Sequence, residues 1–196
     1  GTFRDDLYEE YKSHREAAPG DLYSQIPIIK EMIEAFGIPI YEKEGFEADD
    51  LVGTLSLQAK QKGYEVVIVT GDTDTLQLVD DQVKVFTMRK SIKDTVVYGH
   101  DEVVAKYGFA PKQLIEYKGL AGDSSDNIPG VKGIGAKTAT TLIQKYKNLE
   151  GVYAHLDETK GKMRENLESD KETAFLSRTL GTIRRDVDIE LDEQAM

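Results

Sequence analysis

Hydrophobic positions in the first part of the chain follow two different spacings. Residues 25–36 place four large apolar side chains at helical intervals: Ile26, Ile29, Ile33 and Phe36. Residues 47–62 predict a second helix, which opens with three acids and closes before a glycine. Residues 65–70 are a β-branched run, typical of a strand that is buried on both faces of a parallel sheet. The pattern therefore predicts helices and strands in alternation.

Further strands are predicted at 83–86 and 95–98, and helices at 101–107 and 111–120. From about residue 111 onward the strand pattern ends. We therefore predict an α/β fold, with a mixed, mainly parallel sheet flanked by helices and followed by a helical subdomain. The expected division is residues 1–110 and 111–196. Residues 5–18 are highly charged and predict a solvated helix or a mobile arm.

Composition narrows the possible classes of protein. The 196 residues include no cysteine, which excludes disulfides, thiolate zinc sites and cysteine nucleophiles and suits the cytoplasm. No apolar run predicts a membrane span, and we expect a monomer. The net charge of −11 argues against a nucleic-acid partner, but residues 127–149 carry four lysines and no acid. The distribution of charge therefore matters more than its sum.

Seven carboxylates form three short groups: Glu47, Asp49 and Asp50; Asp72 and Asp74; and Asp123 and Asp126. Each group alone has an ordinary explanation, as a helix N-terminus, a Gly-Asp turn or a polar loop. Together, with no basic partner inside the motifs, they are expected to repel one another. Divalent cations such as Mg²⁺ prefer oxygen ligands, and two ions can clamp a phosphoryl displacement. The groups therefore favour a metal site.

The chain lacks the residue patterns that other catalytic mechanisms require. The three histidines, His14, His100 and His155, are scattered without metal-ligand spacing. The chain has no Gly-x-Ser-x-Gly elbow and no phosphate-binding Walker loop. A metal-activated water is therefore the predicted attacking group.

Residues 130–139 predict a glycine hairpin before a helix. Gly130, Gly133 and Gly135 allow a tight turn and a close approach of the backbone, and Lys137 adds positive charge. The free N–H groups at the start of the helix can hold a phosphate. Such binding is independent of base sequence and sensitive to salt. The alternative is a purely structural turn between helices.

Four motifs now stand in a characteristic order: Glu47–Asp50, residues 69–74, residues 122–127 and residues 130–139. In this order they resemble the bacterial 5′ nucleases, a family that includes flap endonucleases and the 5′–3′ exonuclease domain of DNA polymerase I. The resemblance covers roughly residues 1–190. It implies a nuclease that cuts DNA at 5′ flaps or 5′ ends without sequence preference, and a polymerase domain that follows it.

The resemblance also implies roles for particular residues. Mg²⁺ or Mn²⁺, two ions in all, would be bound at a site formed by seven residues, some of them acting through water: Glu47, Asp49, Asp50, Asp72, Asp74, Asp123 and Asp126. A helix–three-turn–helix element at residues 120–147 would grip duplex DNA and hold K⁺, using Gly130, Lys132, Gly133, Gly135, Lys137 and Thr138. Residues 1–20 would form part of an arch, in which Lys12 and Arg15 face the scissile phosphate and Tyr8 or Tyr11 stacks on a base. Lys12, Arg15, Asp50 and Asp72 are the implied catalytic residues; a plain exposed helix is the alternative for the arch.

The chain also departs from the family, whose first strand and two further aspartates fall upstream of Gly1. We therefore expect weak or no nuclease activity from this chain alone, with DNA and metal binding retained. Three alternatives stay open. One is a non-catalytic duplex-binding module. Another is a haloacid-dehalogenase-type phosphatase, suggested by the strand before Asp72 and Asp74. The third is a metallonuclease that acts on RNA.

Overall fold

A three-stranded sheet forms the centre of the first half of the chain. The structure, a computed structural model, describes residues 1–88 and 94–195. The strands are β1 Val66–Val69, β2 Val83–Met88 and β3 Thr95–Tyr98. β1 pairs in parallel with β2, and β2 pairs antiparallel with β3. The predicted mixed sheet is therefore confirmed.

Helices surround this sheet and make up the second half. Within the described residues they are α1 Phe3–Leu7, α2 Gly20–Ala35, α3 Ala48–Gln61, α4 His100–Tyr107, α5 Leu114–Ala121, α6 Ala136–Tyr146, α7 Leu149–Ala154, α8 Gly161–Ser169 and α9 Lys171–Gly181. Short 3₁₀ turns cover Thr73–Leu78, Pro111–Gln113, Leu156–Glu158 and Glu193–Ala195. The helix predicted at 111–120 is thus a 3₁₀ turn followed by α5, and α2 starts earlier than predicted. None of the helices in this part of the chain is both long and apolar enough to cross a bilayer.

One hydrophobic core joins the sheet to the helices of the second half. Val83 and Val85 of β2 are fully buried, together with Leu120 of α5 and Ile143 of α6. Burial of each such side chain stabilises the fold by about 1.5–3 kcal/mol. Because the two halves share this core, the ends of the strands and the loops of the helical half are held at fixed positions relative to each other.

The prediction that residues 65–70 are buried on both faces is wrong. Ile68 points into the core with 6% of its surface exposed, whereas Val67 and Val69 are 57% and 68% exposed. Most apolar side chains of α2 are exposed as well, and Phe36 just after it reaches 78%. β-branching favours a strand, but it does not report what covers each face of that strand.

Residues 5–18 were predicted to form a solvated helix or a mobile arm; most of them are exposed, but they are not one helix and they are anchored to the rest of the molecule. α1 is followed by turns that pack onto the rest of the molecule, and Arg4 and Tyr11 are buried. Tyr11 lies in a small cluster with Ile128 and Leu180. The backbone N–H of Lys12 donates to the carbonyl of Asp126 at 2.9 Å. These contacts fix the N-terminal segment beside the acidic loop.

Candidate metal centre

Five carboxylates from all three acidic groups line one small cleft, together with Arg4, Tyr11 and Lys12: Glu47, Asp49, Asp72, Asp74 and Asp126. The start of α3 supplies the first two. The second pair follows the end of β1 and opens the 3₁₀ turn Thr73–Leu78, in which the N–H of Asp74 donates to Asp72 at 2.9 Å. Ligand sites of α/β folds form beyond the carboxyl ends of strands, and this cleft has that location.

The carboxylates in this cleft repel one another, and the repulsion shifts their pKa values. Burial, together with the charges of Asp72, Asp74 and Glu47, raises the pKa of Asp49 to about 6. Burial also raises the pKa of Asp74, against the opposing effect of a nearby lysine. The carboxylates are therefore close enough to destabilise one another when ionised.

Basic residues from outside the three motifs partly compensate these charges. The Nζ atom of Lys12 lies 2.7 Å from Oε1 of Glu47 and 3.6 Å from Oδ2 of Asp126. Arg15 Nη2 lies 2.5 Å from Oδ1 of Asp126. Both cations that the resemblance placed near the scissile phosphate thus contact the acidic cleft.

Lys118, which the sequence analysis missed, bridges two of the acidic groups. Its Nζ donates to Oδ2 of Asp123 at 2.7 Å and also pairs with Asp74. The residue is 8% exposed. Burial acts to lower its pKa, but the two carboxylates outweigh it and raise the value. The sequence indicates this contact only through the position of Lys118, about one helical turn before the acidic loop.

Asp50 lies apart from the cleft, contrary to its expected place among the metal ligands. It is fully buried, and its two oxygens accept hydrogen bonds from the Arg4 guanidinium at 2.7 and 2.8 Å. The backbone N–H of Arg184 donates to it as well, at 2.8 Å. Although burial opposes this, these bonds hold its pKa below the usual range. Both oxygens of Asp50 therefore take part in a buried ion pair with Arg4, a residue 46 positions earlier in the sequence.

The donor set of the cleft fits a hard divalent cation. All its acidic ligands are carboxylate oxygens, the type that Mg²⁺ and Mn²⁺ prefer. In the described residues, however, no three acidic or histidine side chains already lie in an arrangement that could hold one ion. The ammonium groups of Lys12 and Lys118 pair with the acids, so these side chains would have to shift for an ion to bind there.

The tyrosines of the N-terminal segment differ in their surroundings. Tyr11 is 4% exposed, and its hydroxyl lies 3.3 Å from both Glu47 and Asp126, so of the two tyrosines predicted to stack on a base Tyr11 is the one enclosed by protein. Tyr8 is half-buried and donates to Glu10 at 3.1 Å.

The glycine hairpin precedes α6 as expected. Gly130 and Gly133 have φ values of 64° and 74°, in the left-handed region that favours glycine. Gly135 has φ −88°, and a Cβ there would meet open space, so its backbone does not require glycine. Lys137 and Thr138 lie in the first turn of α6, where no side chain caps the free N–H groups.

Comparison with known proteins places the chain in a family. Residues 1–108 match the family described as 5′–3′ exonuclease, N-terminal resolvase-like domain, and residues 109–196 match 5′–3′ exonuclease, C-terminal SAM fold. DNA polymerase I of Bacillus caldotenax is 46% identical over 97% of this chain, and that of Bacillus subtilis is 44% identical over 97%. In each case the chain spans 22% of the relative's length.

Solved structures agree with this assignment. Bacteriophage T5 5′-exonuclease with bound zinc ions gives a TM-score of 0.75 at 25% identity, covering 92% of this chain and 70% of that one. A T5 flap endonuclease complex with DNA and metal ions gives 0.73 at 25% identity, covering 91% and 68%. The catalytic core of Rad2 with DNA gives 0.59 at 20% identity over 92% of this chain and 62% of that one, a likeness of fold alone. These matches argue against the phosphatase alternative. The chain belongs to the 5′–3′ exonuclease family, which includes flap endonucleases.

Proposed function

We propose that this chain carries the active site of a structure-specific 5′ nuclease, which hydrolyses DNA phosphodiesters at 5′ flaps or 5′ ends with Mg²⁺ or Mn²⁺. The observation that carries the proposal is the cleft itself. There, carboxylates of the three acidic groups meet two cations of the N-terminal segment, Lys12 and Arg15. Hydrolysis of a phosphodiester develops negative charge on its oxygens, which cationic side chains can neutralise directly and divalent ions held by the carboxylates can neutralise as well.

The position of each residue in and around the cleft determines its proposed role. Asp49, Asp72, Asp74 and Glu47 would hold one cation, and Asp123 and Asp126 would contribute to a second. Bound divalent ions supply an activated water and stabilise the leaving oxygen. Lys12 and Arg15 hold the scissile phosphate once their carboxylate partners turn to the ions. Asp50 positions α3 through Arg4 and needs no contact with either ion.

The glycine hairpin supplies the grip on duplex DNA. The uncapped N-terminus of α6 offers backbone N–H groups to a phosphate, with Lys132, Lys137 and Thr138 beside it. Contacts of this kind are made to the backbone and not to the bases, so binding is independent of sequence. K⁺ at the hairpin, a preference for DNA over RNA and a monomeric state are further parts of the proposal. The relatives are DNA polymerases, so we place this nuclease beside a polymerase domain.

Substitutions in the cleft and in the hairpin separate cleavage from binding. We expect Asp72→Ala to reduce the single-turnover rate on a labelled 5′-flap duplex by about 100-fold or more, with duplex affinity changed less than about threefold. Lys137→Ala should mainly weaken binding. Enzyme is held in large excess, so that slow cleavage by this chain is still measured. Equal loss of binding in both variants contradicts the division.

Metal titration separates the nuclease from a duplex-binding protein whose acids are structural. Isothermal calorimetry with Mn²⁺ should show binding to the native chain and none, or binding at least about tenfold weaker, to Asp49→Asn, because each lost carboxylate removes a ligand. Glu65→Gln, an exposed acid outside the cleft, serves as the control. A native chain that binds no Mn²⁺, yet binds duplex DNA, supports the non-catalytic alternative.

A further inference from the structure

The main chain of the glycine hairpin is held at three points by side chains of the C-terminal helices. The amide of Asn166 donates to the carbonyl of Lys132 at 2.7 Å, and the N–H of Lys132 donates to Oδ2 of Asp170 at 2.9 Å. The N–H of Gly130 donates to the hydroxyl of Ser177 at 2.9 Å. These three partners come from α8, α9 and the junction between them.

These contacts restrict the backbone conformation of the hairpin. Both polar groups of the Lys132 backbone are engaged, so the peptide planes on either side of it cannot rotate freely. Gly133 follows directly with a left-handed φ of 74°, and a Cβ there would lie 3.0 Å from the Asn166 amide nitrogen. The direction in which the chain leaves Lys132 is thereby set, shortly before the uncapped start of α6.

Two of the three side chains, those of Ser177 and Asp170, are themselves fixed. Ser177 is completely buried. The second carboxylate oxygen of Asp170 accepts from the hydroxyl of Ser169 at 2.7 Å. Asp170 stands at the N-cap of α9, yet its side chain makes no capping bond to that helix. Its bond from the Lys132 N–H, followed by that from Ser169, holds its pKa below the usual value, so the acceptor is ionised at neutral pH.

We propose that Asn166, Asp170 and Ser177 are positioning residues for phosphate binding, which orient the hairpin so that Lys132 and the N-terminus of α6 face the same phosphate backbone. This inference rests on the proposed function of the hairpin. Nothing in the family motifs quoted above includes these residues, which lie about 30 to 50 positions further along the chain.

Asp170 offers a test in which two physical effects have opposite signs. Its negative charge lies beside a lysine that would contact phosphate, so its removal should tighten DNA binding if only charge matters. Its hydrogen bond orients the hairpin, so its removal should weaken binding if position matters. Asp170→Asn loses the charge but keeps an acceptor oxygen, whereas Asp170→Ala loses both.

The experiment measures affinity for a fluorescent 5′-flap duplex by anisotropy in EDTA, so that no strand is cut. We expect Asp170→Ala and Asn166→Ala to bind about three- to tenfold more weakly, the effect of one orienting hydrogen bond. Asp170→Asn should bind as tightly as the native chain or more tightly. Glu165→Ala, which removes an exposed acid from α8, is the matched charge control and should not weaken binding.

Affinity of Asp170→Ala equal to or higher than that of Glu165→Ala overturns the inference. Thermal melts of each variant show that the helices are intact, and Asn166→Ala decides the question if Asp170→Ala does not fold. Mn²⁺ affinity should stay unchanged in all four variants, because the cleft is not altered. If the native chain itself binds no duplex, the proposed function of the hairpin fails, and not the positioning role alone.

Discussion

The buried guanidinium of Arg4 connects three segments that are distant in the sequence. Besides its two bonds to Asp50, it donates to the carbonyls of Leu180 and Thr182 at 2.9 and 2.8 Å. The N-terminal segment, the start of α3 and the end of α9 therefore meet at one side chain. Removal of one partner of such a pair is costly, because the other charge stays buried without compensation. Through this contact the segment that carries Lys12 and Arg15 is held against the acidic helix.

We predict that Arg4→Met lowers the free energy of unfolding by about 3–5 kcal/mol, and that a second substitution, Asp50→Asn, restores part of it. The reason is that the amide introduced at position 50 carries no charge to be buried and still accepts from the Arg184 N–H. Urea denaturation of both single variants and the double variant measures the coupling. Lys43→Met breaks an exposed pair with Asp188 and should cost less than about 1 kcal/mol. Additive losses in the double variant would show that the pair is not coupled.

Sequence reasoning found the residues of the cleft better than their partners. The three acidic motifs could be recognised from their spacing and residue type, and the two cations, Lys12 and Arg15, from the resemblance to the 5′ nucleases. Lys118 and the Arg4–Asp50 pair could not, since the partner of a charge is chosen by packing between segments far apart along the chain. The same packing buries Tyr11, whose sequence context indicates only an aromatic residue among charges.

The loop that carries Asp123 and Asp126 is an element built on two interlocking glycines. Gly122 and Gly130 have φ values of 69° and 64°, and a Cβ added to Gly130 would lie 2.3 Å from the backbone nitrogen of Gly122. The strand-like bridge between Asp123 and Ile128 closes the loop with two 2.8 Å hydrogen bonds. The backbones of the hairpin and of the acidic loop therefore pack directly against each other.

Gly130→Ala should destabilise the chain by more than about 2 kcal/mol, because it combines a left-handed backbone with a clash against another backbone. Gly135→Ala is the matched substitution in the same hairpin, at an ordinary φ and in open space, and should change stability by less than about 1 kcal/mol. Thermal unfolding of the two variants measures the difference. Similar melting temperatures would contradict the interlocked arrangement.

Helix and strand positions were predictable because apolar spacing reports them locally. The bounds of β3, and of α3 within one residue at either end, followed from the pattern. The burial of β1 did not, because Val67 and Val69 are exposed or covered according to what packs on their face of the sheet. The chain after β1 forms a 3₁₀ turn at Thr73–Leu78, and the Asp72 side chain accepts from the N–H of Asp74 at its start.

Charge is distributed over the whole molecule in a way that its net value of −11 hides. Acids of the cleft pair with Arg4, Lys12, Arg15 and Lys118, whereas residues 127–149 carry four lysines without an acid. One of these, Lys145, has its ammonium 2.6 Å from a carboxylate oxygen of Glu158. If the hairpin binds duplex DNA as proposed, three lysines of this stretch, Lys132, Lys137 and Lys147, would remain to neutralise phosphates.

This count predicts how duplex binding depends on salt. Three neutralised phosphates give a slope of about −3 for the logarithm of affinity against the logarithm of KCl concentration. Lys137→Ala should reduce the slope to about −2, because one phosphate contact is lost. Lys145→Ala should leave the slope almost unchanged, since Glu158 already compensates that lysine. Anisotropy titrations of the native chain and both variants, at several KCl concentrations in EDTA, measure these slopes. An equal change for Lys137→Ala and Lys145→Ala would mean that DNA displaces Glu158, and that the whole cluster of lysines, not the hairpin alone, contacts the duplex.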